Sequence, residues 1–481
     1  MKSDIRRDMI EVSLREEYKY SKFDLLNKFS CSKDKLNIIL NKLMDYDIAK
    51  IVNFEKNLYA SNLNNNYVKF TFVGVIIIEN YVISFYPKYI SNFDFTEFKS
   101  VIRVIERFQN DGEIVHLQKD INNKNSFNML PLILFFFKDY YEYGLYNNFH
   151  EIIEINSNNE ILWDKTINYN KVIIQNNVPY YYELLSKKRI NDDNDYFRRL
   201  HEIIITKCSN DLKNVNLLEL FGLTEVNLSD KKIEEFDNEE NLLNKINQEI
   251  HSQFNTRKLE LLNAMKLYIL NKSSDIGLEN CFSLYGTSSY YNIWEKLCCF
   301  VLNDLKDKPL TDLILPIKLN KKYEKYDDLI SIIESPIWHS FNETGEFTKY
   351  AKENKLKPDL ITFYHNDNTF NFLIFDAKYY NLQLEKELPL KGQPGIESIT
   401  KQYLYQLTYK EFINLHGFNN VKNCFLLPTC DENIVNKGFV KLEMLNKLNL
   451  ENIQVIFLPA KLVNQLFLGN EKLDICELNL M

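Results

Sequence analysis

Glycine and proline are scarce in this chain, 12 and 11 among 481 residues, while lysine and asparagine are plentiful. That bias marks an AT-rich coding background, so the many asparagines carry little functional weight. An excess of positive charge is also missing: the formal net charge is −8. A polycation that coats nucleic acid is excluded, and any DNA contact must come from a local basic surface or be helped by bound metal. The eight cysteines (31, 208, 281, 298, 299, 424, 430 and 476) include no C-x-x-C pair and no nearby histidine pair. No zinc site is therefore expected. Scattered cysteines in a chain without a signal peptide fit reduced thiols in a cytoplasm. The most apolar run, MLPLILFFF at 129–137, stops at Lys138 and Asp139. It falls short of the roughly 20 residues a membrane helix needs and reads as a buried helix, so no membrane partner is expected. No G-x-x-x-x-G-K-[ST] phosphate loop occurs. If ATP or GTP is used, another chain binds it.

What is present amounts to more than one core. At 45% hydrophobic and 14% aromatic, a chain of this length suggests two or three domains. Residues 5–63 read as two short helices and a hairpin. KFDLLNKF is amphipathic, Ser32 is a good N-cap, and Leu36, Ile39, Leu40 and Leu43 make one apolar stripe. IAKIVNF and NLYASNL flank the turn EK, giving the helix, helix, two-stranded wing of a winged helix. Lys33, Lys35, Asn37, Asn41 and Lys42 would face outward, for a DNA groove or as the solvated face of a docking module.

Residues 66–90 are β-rich, with a turn at Glu79–Asn80. Helical periodicity covers 95–110, 127–145, 195–213 and 239–272, interrupted by Asn-rich hairpins and loops near 150–182 and a charged linker at 228–241. From about 275 the order becomes helix, β-hairpin, helix, strand, which is an α/β core.

The informative stretch is KPDLITFYHNDNTFNFLIFDAKYY, residues 357–380. Two apolar runs flank the turn HNDN. Asp359 opens the first run, and Asp376 and Lys378 close the second. Strand alternation puts Asp376 and Lys378 on one side and Ala377 on the other. A turn centred near Asn366–Asp367 pairs residues whose numbers sum to about 733–734, leaving Asp359 one position from Asp376. Two carboxylates this close favour a cation between them, and hard oxygen ligands suit Mg2+. The bland alternative is a surface Asp–Lys pair of little energetic value.

In the preceding helix, Trp294, Leu297, Cys298, Val301, Leu302 and Leu305 form an apolar stripe with Glu295 at its edge, which in isolation reads as a residue paired to Lys296 or another nearby lysine. Farther on, Gln402, Tyr405, Gln406 and Tyr409 share a helix face beside Lys401, which taken alone also reads as a helix packed by its tyrosines with its amides to solvent. The loop KELPLKGQPGIESIT has the composition of a mobile segment. Trp338 and His339 read as packing residues.

PD at 358–359, the following strand and DAK at 376–378, with Glu295 upstream, resemble the PD-(D/E)XK nuclease superfamily. The strings YGTSSYYNIWEK, KPDLI and FDAKYY, with FVGVIII and FYPKYI upstream, are similar to LlaJI-type restriction endonucleases, relatives of the McrC subunit of the GTP-dependent McrBC system. The resemblance runs from about residue 65 to 460. It implies an α+β multidomain chain: a winged-helix-like domain at 1–65, a β-rich then helical domain at 66–270 that docks a motor, and a C-terminal α/β nuclease core at 275–481.

It further implies a Mg2+-dependent DNA endonuclease, with Mn2+ able to substitute, in a prokaryotic restriction or anti-phage system. Asp359, Asp376 and the Ala377 carbonyl would hold the metal, with Glu295 as a further candidate ligand. Lys378 would serve the attacking water, and Lys401, Gln402 and Tyr405 would meet DNA. The implied partners are double-stranded DNA, a separate McrB-like AAA+ GTPase and a second copy for double-strand cleavage. Two alternatives stay open: a standalone sequence-specific restriction enzyme, and a non-catalytic DNA-binding or motor-activating protein with a vestigial nuclease fold.

Overall fold

The computed structural model describes residues 9–52, 67–108, 128–191, 195–271, 282–342, 345–350, 355–366 and 369–481. The chain forms two compact units, each discontinuous in sequence. One contains residues 1–10, 76–82 and 121–285; the other contains 11–75, 83–120 and 286–481. Among the described residues, no helix is long and apolar enough to cross a membrane.

The first unit is mainly helical. The apolar run expected to be buried forms the helix Met129–Tyr143, with Leu130, Ile133, Phe136 and Phe137 in the core. Tyr196–Asn214 packs on it. The segment read as one helical stretch at 239–272 is two helices, Glu239–Ser252 and Thr256–Asn271. The break falls at Gln253–Asn255, where side-chain amides bond to backbone instead of continuing the helix: Gln253 Oε1 accepts from the Phe254 and Asn255 N–H groups, both at 3.2 Å. Asp139 is buried and takes both arms of the Arg257 fork, at 2.9 and 2.8 Å. The Asn-rich stretch supplies two separate two-stranded antiparallel sheets, Phe149–Ile155 with Leu185–Asn191 and Val172–Gln175 with Val178–Tyr181.

In the second unit, the helices Lys22–Phe29 and Lys33–Asp45 start where their caps dictate. Ser21 and Asp24 form a capping box, and the Ser32 hydroxyl accepts from the Lys35 N–H at 3.3 Å. The stripe Leu36, Ile39, Leu40 and Leu43 is buried, while Lys33, Asn41 and Lys42 are exposed and Lys35 and Asn37 half-buried. A three-stranded antiparallel sheet, ordered Lys19–Tyr20, Tyr67–Phe70, Ala49–Val52, backs the helices. The turn EK and the strand NLYASNL lie outside the described residues.

The C-terminal part of this unit carries a five-stranded sheet in the order Leu360–Asn366, Thr369–Ala377, Asn420–Thr429, Ile453–Pro459, Val435–Val440. The first and last pairings are antiparallel and the two central ones parallel. The helix Ile396–Leu415 makes the crossover that the parallel pair Thr369–Ala377 and Asn420–Thr429 requires. Its Tyr409, Phe412 and Ile413 pack with Ile361, Phe372 and Ile374. The helix Phe95–Phe108 belongs to this unit as well. Phe108 stacks on Phe467 of the helix Ala460–Gly469 at 4.8 Å, and Arg107 donates to the Phe467 carbonyl at 2.5 Å.

His201, on the Tyr196–Asn214 helix, is fully buried, and its Nδ1 accepts the Tyr146 N–H at 3.0 Å. Burial, helped by the Arg257 charge, pushes the imidazole down to about 3. The unfolded chain takes up that proton near pH 6.5, and the folded one does not. The stability His201 allows is therefore complete above about pH 6.5 and declines toward pH 3, by at most about 1.4 kcal/mol per pH unit. Denaturant midpoints measured from pH 7 to 4 should fall more steeply for the wild type than for His201→Asn, which keeps an acceptor without the titration. Parallel curves would show that His201 is not the group responsible.

Candidate functional site

The site starts from a hairpin whose strands are short of polar residues until their ends. Leu360 pairs with Phe375 and Ile361 with Ile374. Paired numbers sum to 735, not the 733–734 expected, since the last described pair is Asn366 with Thr369. The shift matters. It sets Asp359, one residue before the ladder, across from Asp376 itself.

The two aspartates meet. Asp376 is buried, at 5% exposure. Burial, then the hydrogen bond and charge of Asp376, then the charge of Glu295, hold the Asp359 carboxyl well above the usual carboxylate range. Its Oδ2 accepts the Ala377 N–H at 3.0 Å. Lys378 Nζ lies 2.8 Å from Asp376 Oδ1. Burial alone would push the Lys378 ammonium down, but Asp376 and Asp359 outweigh it and keep the proton bound.

Glu295 stands on the helix Tyr290–Val301, whose Trp294, Leu297, Cys298 and Val301 are buried. The helix stops at Val301, so Leu305 is not on its stripe; the Leu305 N–H instead bonds to the Ile361 carbonyl at 2.7 Å. Half-burial raises the Glu295 carboxyl, against the opposing charge of Lys306 and with that of Asp376. One carbonyl registers this helix against the motif strand. Leu426 O accepts the Trp294 indole N–H at 3.3 Å and the Lys378 N–H at 2.9 Å.

Among the described residues, no three His, Cys, Asp or Glu side chains gather tightly enough to hold one ion. Asp359 and Asp376 form a pair, and Glu295 stands outside that set while contributing its charge. A divalent cation fits the pair on chemistry: two hard carboxylate donors whose mutual repulsion it would neutralise.

The Gln/Tyr helix turns inward. Gln402 is fully buried, its Nε2 donating to the Cys424 carbonyl at 3.2 Å. The Oε1 atoms of Gln402 and Gln406 are buried and have no hydrogen-bond partner among the described residues. Tyr405 donates to the Lys357 carbonyl at 2.8 Å, which braces the turn entering Asp359. Lys401 is exposed and pairs with Glu397 at 2.6 Å. Trp338 is not a packing residue. It is 68% exposed on a hairpin, Ile337–Asn342 with Gly345–Tyr350, that pairs only with itself among the described residues.

The sequence reading missed Lys306. Its Nζ donates to the Asp359 carbonyl at 2.6 Å and forms an ion pair with Asp304. Cys299 Sγ reaches the same carbonyl at 3.3 Å, and Asp304 Oδ1 accepts the Ile361 N–H at 3.1 Å. A signal existed: Asp304-Leu305-Lys306 repeats the D-x-K spacing just past the helix.

The sequence pattern of the LlaJI restriction endonuclease family matches residues 72–461, and the chain belongs to that family. It is 27% identical over 329 residues to a protein of Bacillus subtilis strain 168 described as the type II restriction enzyme BsuMI component YdjA. That match covers 68% of this chain and 64% of the relative, so the chain spans somewhat under two thirds of that protein's length. Two solved assemblies from Thermococcus gammatolerans align at 13% identity. A half-complex of McrB AAA+ hexamers with bound McrC has TM-score 0.35, covering 96% of this chain and 99% of that chain. The McrBC complex has TM-score 0.25, covering 60% and 85%.

Lys306→Met should remove the brace on Asp359 and leave Asp304 without its cation. The expected loss of unfolding free energy is about 1–3 kcal/mol, read by denaturant titration. An unchanged midpoint would mean that the Lys306 contacts do not hold the strand entry.

Proposed function

We propose that this chain is the nuclease subunit of a prokaryotic restriction or anti-phage system: a Mg2+-dependent endodeoxyribonuclease of the PD-(D/E)XK type that cuts double-stranded DNA in the cytoplasm. The observation that carries this reading is the convergence of Asp359, Asp376 and Lys378 at the buried end of one hairpin. Asp359, Asp376 and the Ala377 carbonyl would hold the metal, whose contribution when bound is Lewis acidity toward water and the scissile phosphate.

The chain's own residues do the positioning. The Ala377 N–H fixes one oxygen of Asp359, and Lys306 fixes its backbone. Lys378, kept as an ammonium by its acidic neighbours, can donate a hydrogen bond to the attacking water and offset charge growing on the phosphate. Glu295 adds an acid at the rim, suited to a second ion or to its water shell. Lys401 is the exposed member of the proposed DNA-contacting set. Gln402 and Tyr405 support the site from inside.

The proposed controlling partner is a separate McrB-like AAA+ GTPase, with residues 1–270 as its docking region. Two observations support a docking role. The chain carries no phosphate loop of its own. The hairpin Val172–Gln175 with Val178–Tyr181 leaves Ile173, Ile174, Val178 and Tyr180 all exposed, a surface of the kind that marks protein partners. Two encounters or two copies are needed for a double-strand break, so dimerisation belongs to the same proposal.

Asp376→Ala and Lys378→Ala should each slow plasmid cleavage on the order of 10²–10³-fold while remaining folded by circular dichroism at the assay temperature. Chelation should stop the wild type, with Mg2+ or Mn2+ restoring it. Either variant cutting at the wild-type rate removes the assignment.

For the partner, Ile174→Asp should leave the fold intact, since surface substitutions shift stability by only about 0.5 kcal/mol. It should abolish stimulation of GTP hydrolysis when the chain is mixed with the candidate GTPase. Full stimulation would place docking elsewhere.

A further inference from the structure

The lysine-bearing strand is held from behind by a buried polar cluster that no motif names. Past Lys378 the chain turns Tyr379 away from the carboxylates and into the core of the same unit. The Tyr379 hydroxyl donates to Glu16 Oε2 at 2.5 Å and accepts the Lys88 N–H at 3.2 Å; that N–H also reaches Glu16 Oε2 at 3.3 Å. The Lys88 ammonium lies 4.4 Å over the Tyr379 ring. Arg15 Nε donates to the Lys88 carbonyl at 2.8 Å, closing the cluster on the N-terminal side. Tyr290, at the start of the Glu295 helix, has its ring 5.4 Å from that of Tyr379, and Tyr89 lies 6.3 Å away.

Glu16 and Tyr379 are each only 6% exposed. Neither can touch substrate, so any role in cleavage is exercised through their neighbours. A carboxylate buried this deeply is costly, and an apolar pair of the same volume would do as well or better for stability alone. What a satisfied buried network supplies instead is a single defined geometry. The residue it defines is the one next to Lys378, whose N–H is tied to Leu426 O at 2.9 Å.

We infer that Glu16 and Tyr379 are a positioning pair, which fixes the end of the lysine-bearing strand and thereby makes the nuclease centre depend on the N-terminal segment of the chain. The kinetic part rests on the nuclease reading above. Misplacing a catalytic group by about 1 Å can cost on the order of 10²-fold in rate, so a pair whose loss loosens this strand end should be visible in turnover.

The test uses the full-length chain. Glu16→Ala and Tyr379→Phe should each lower kcat for plasmid cleavage by about 10–100-fold with KM for DNA unchanged. The double variant should be no slower than the slower single one. Glu16→Gln, whose amide oxygen still accepts from Tyr379, should stay within about 3-fold of the wild type, a rescue that loss of packing alone does not predict.

Amide hydrogen exchange gives a second readout that needs no activity. In Glu16→Ala and Tyr379→Phe the Lys378 amide should exchange faster, while those of Phe372–Phe375 keep wild-type protection. Unchanged exchange at Lys378 overturns the inference. So does a loss of protection spread along the whole strand, because that is what general destabilisation gives. Wild-type cleavage by both single variants overturns it as well, provided Asp376→Ala is inactive in the same assay. A wild type that cuts no DNA defeats the nuclease reading instead, and the exchange result alone then decides the positioning pair.

Discussion

Asp359 and Asp376 stand across from each other at the end of one hairpin, and the surrounding structure is arranged to keep them there. Burial and then the neighbouring Asp376 hold the Asp359 carboxyl well above the usual carboxylate range. The repulsion is answered locally by the Lys378 ammonium and the Ala377 N–H, and from behind by Lys306 and Cys299 on the Asp359 carbonyl. Hydrogen bonds to charged groups are worth about 1.5–3 kcal/mol each, so several are needed to offset the burial of two acids. Apolar strand ends would give the same fold without that cost.

Much of this was legible in the sequence, because turn chemistry and strand alternation act over short distances. The polar HNDN between two apolar runs marks a hairpin whatever the rest of the chain does, and alternation puts Asp376 beside Lys378. The register came out one step short. The ladder closes on the pair Asn366 with Thr369, and composition alone does not say which residues of a four-residue polar stretch still belong to the strands. The helix carrying Glu295 was readable from its apolar stripe, but its end was not. Leu305 continues the periodicity, yet the chain leaves the helix after Val301 to bond with Ile361.

The rest depended on contacts between distant residues. Lys306 follows the helix in sequence, and only the folding of that turn against Asp359 gives it a role. The Gln402 helix reads as carrying a polar face, whereas the fold spends that face inside. Gln402 meets the Cys424 carbonyl, and Tyr405 meets the Lys357 carbonyl. Side-chain amides and phenols are the residues for which a sequence pattern decides least, because they satisfy water and backbone equally well.

The strings that carry the family resemblance lie far apart, and the fold gives three of them a common physical content. Tyr89 from FYPKYI, Tyr290 from YGTSSYYNIWEK and Tyr379 from FDAKYY are three buried rings in mutual contact. Gly286, in the second string, belongs to the same packing problem: a Cβ there would lie 2.2 Å from the Val73 carbonyl oxygen, so only glycine lets the two backbones approach. None of these residues carries chemistry. Their service is to bring the Glu295 helix, the Lys88 turn and the Lys378 strand end to one place. The strings are thus parts of one core that lies immediately behind the acids.

That core also decides which segments can be separated from the site. Residues 11–75 and 286–481 belong to one compact unit, and Glu16 reaches Tyr379 inside it. An N-terminal helix pair that only hung from the five-stranded sheet by a linker would leave the D-x-K strand finished without it. Here the strand end is completed by a carboxylate from the other end of the sequence. Whatever shifts Glu16 therefore acts on the hydroxyl of Tyr379, the residue next to Lys378.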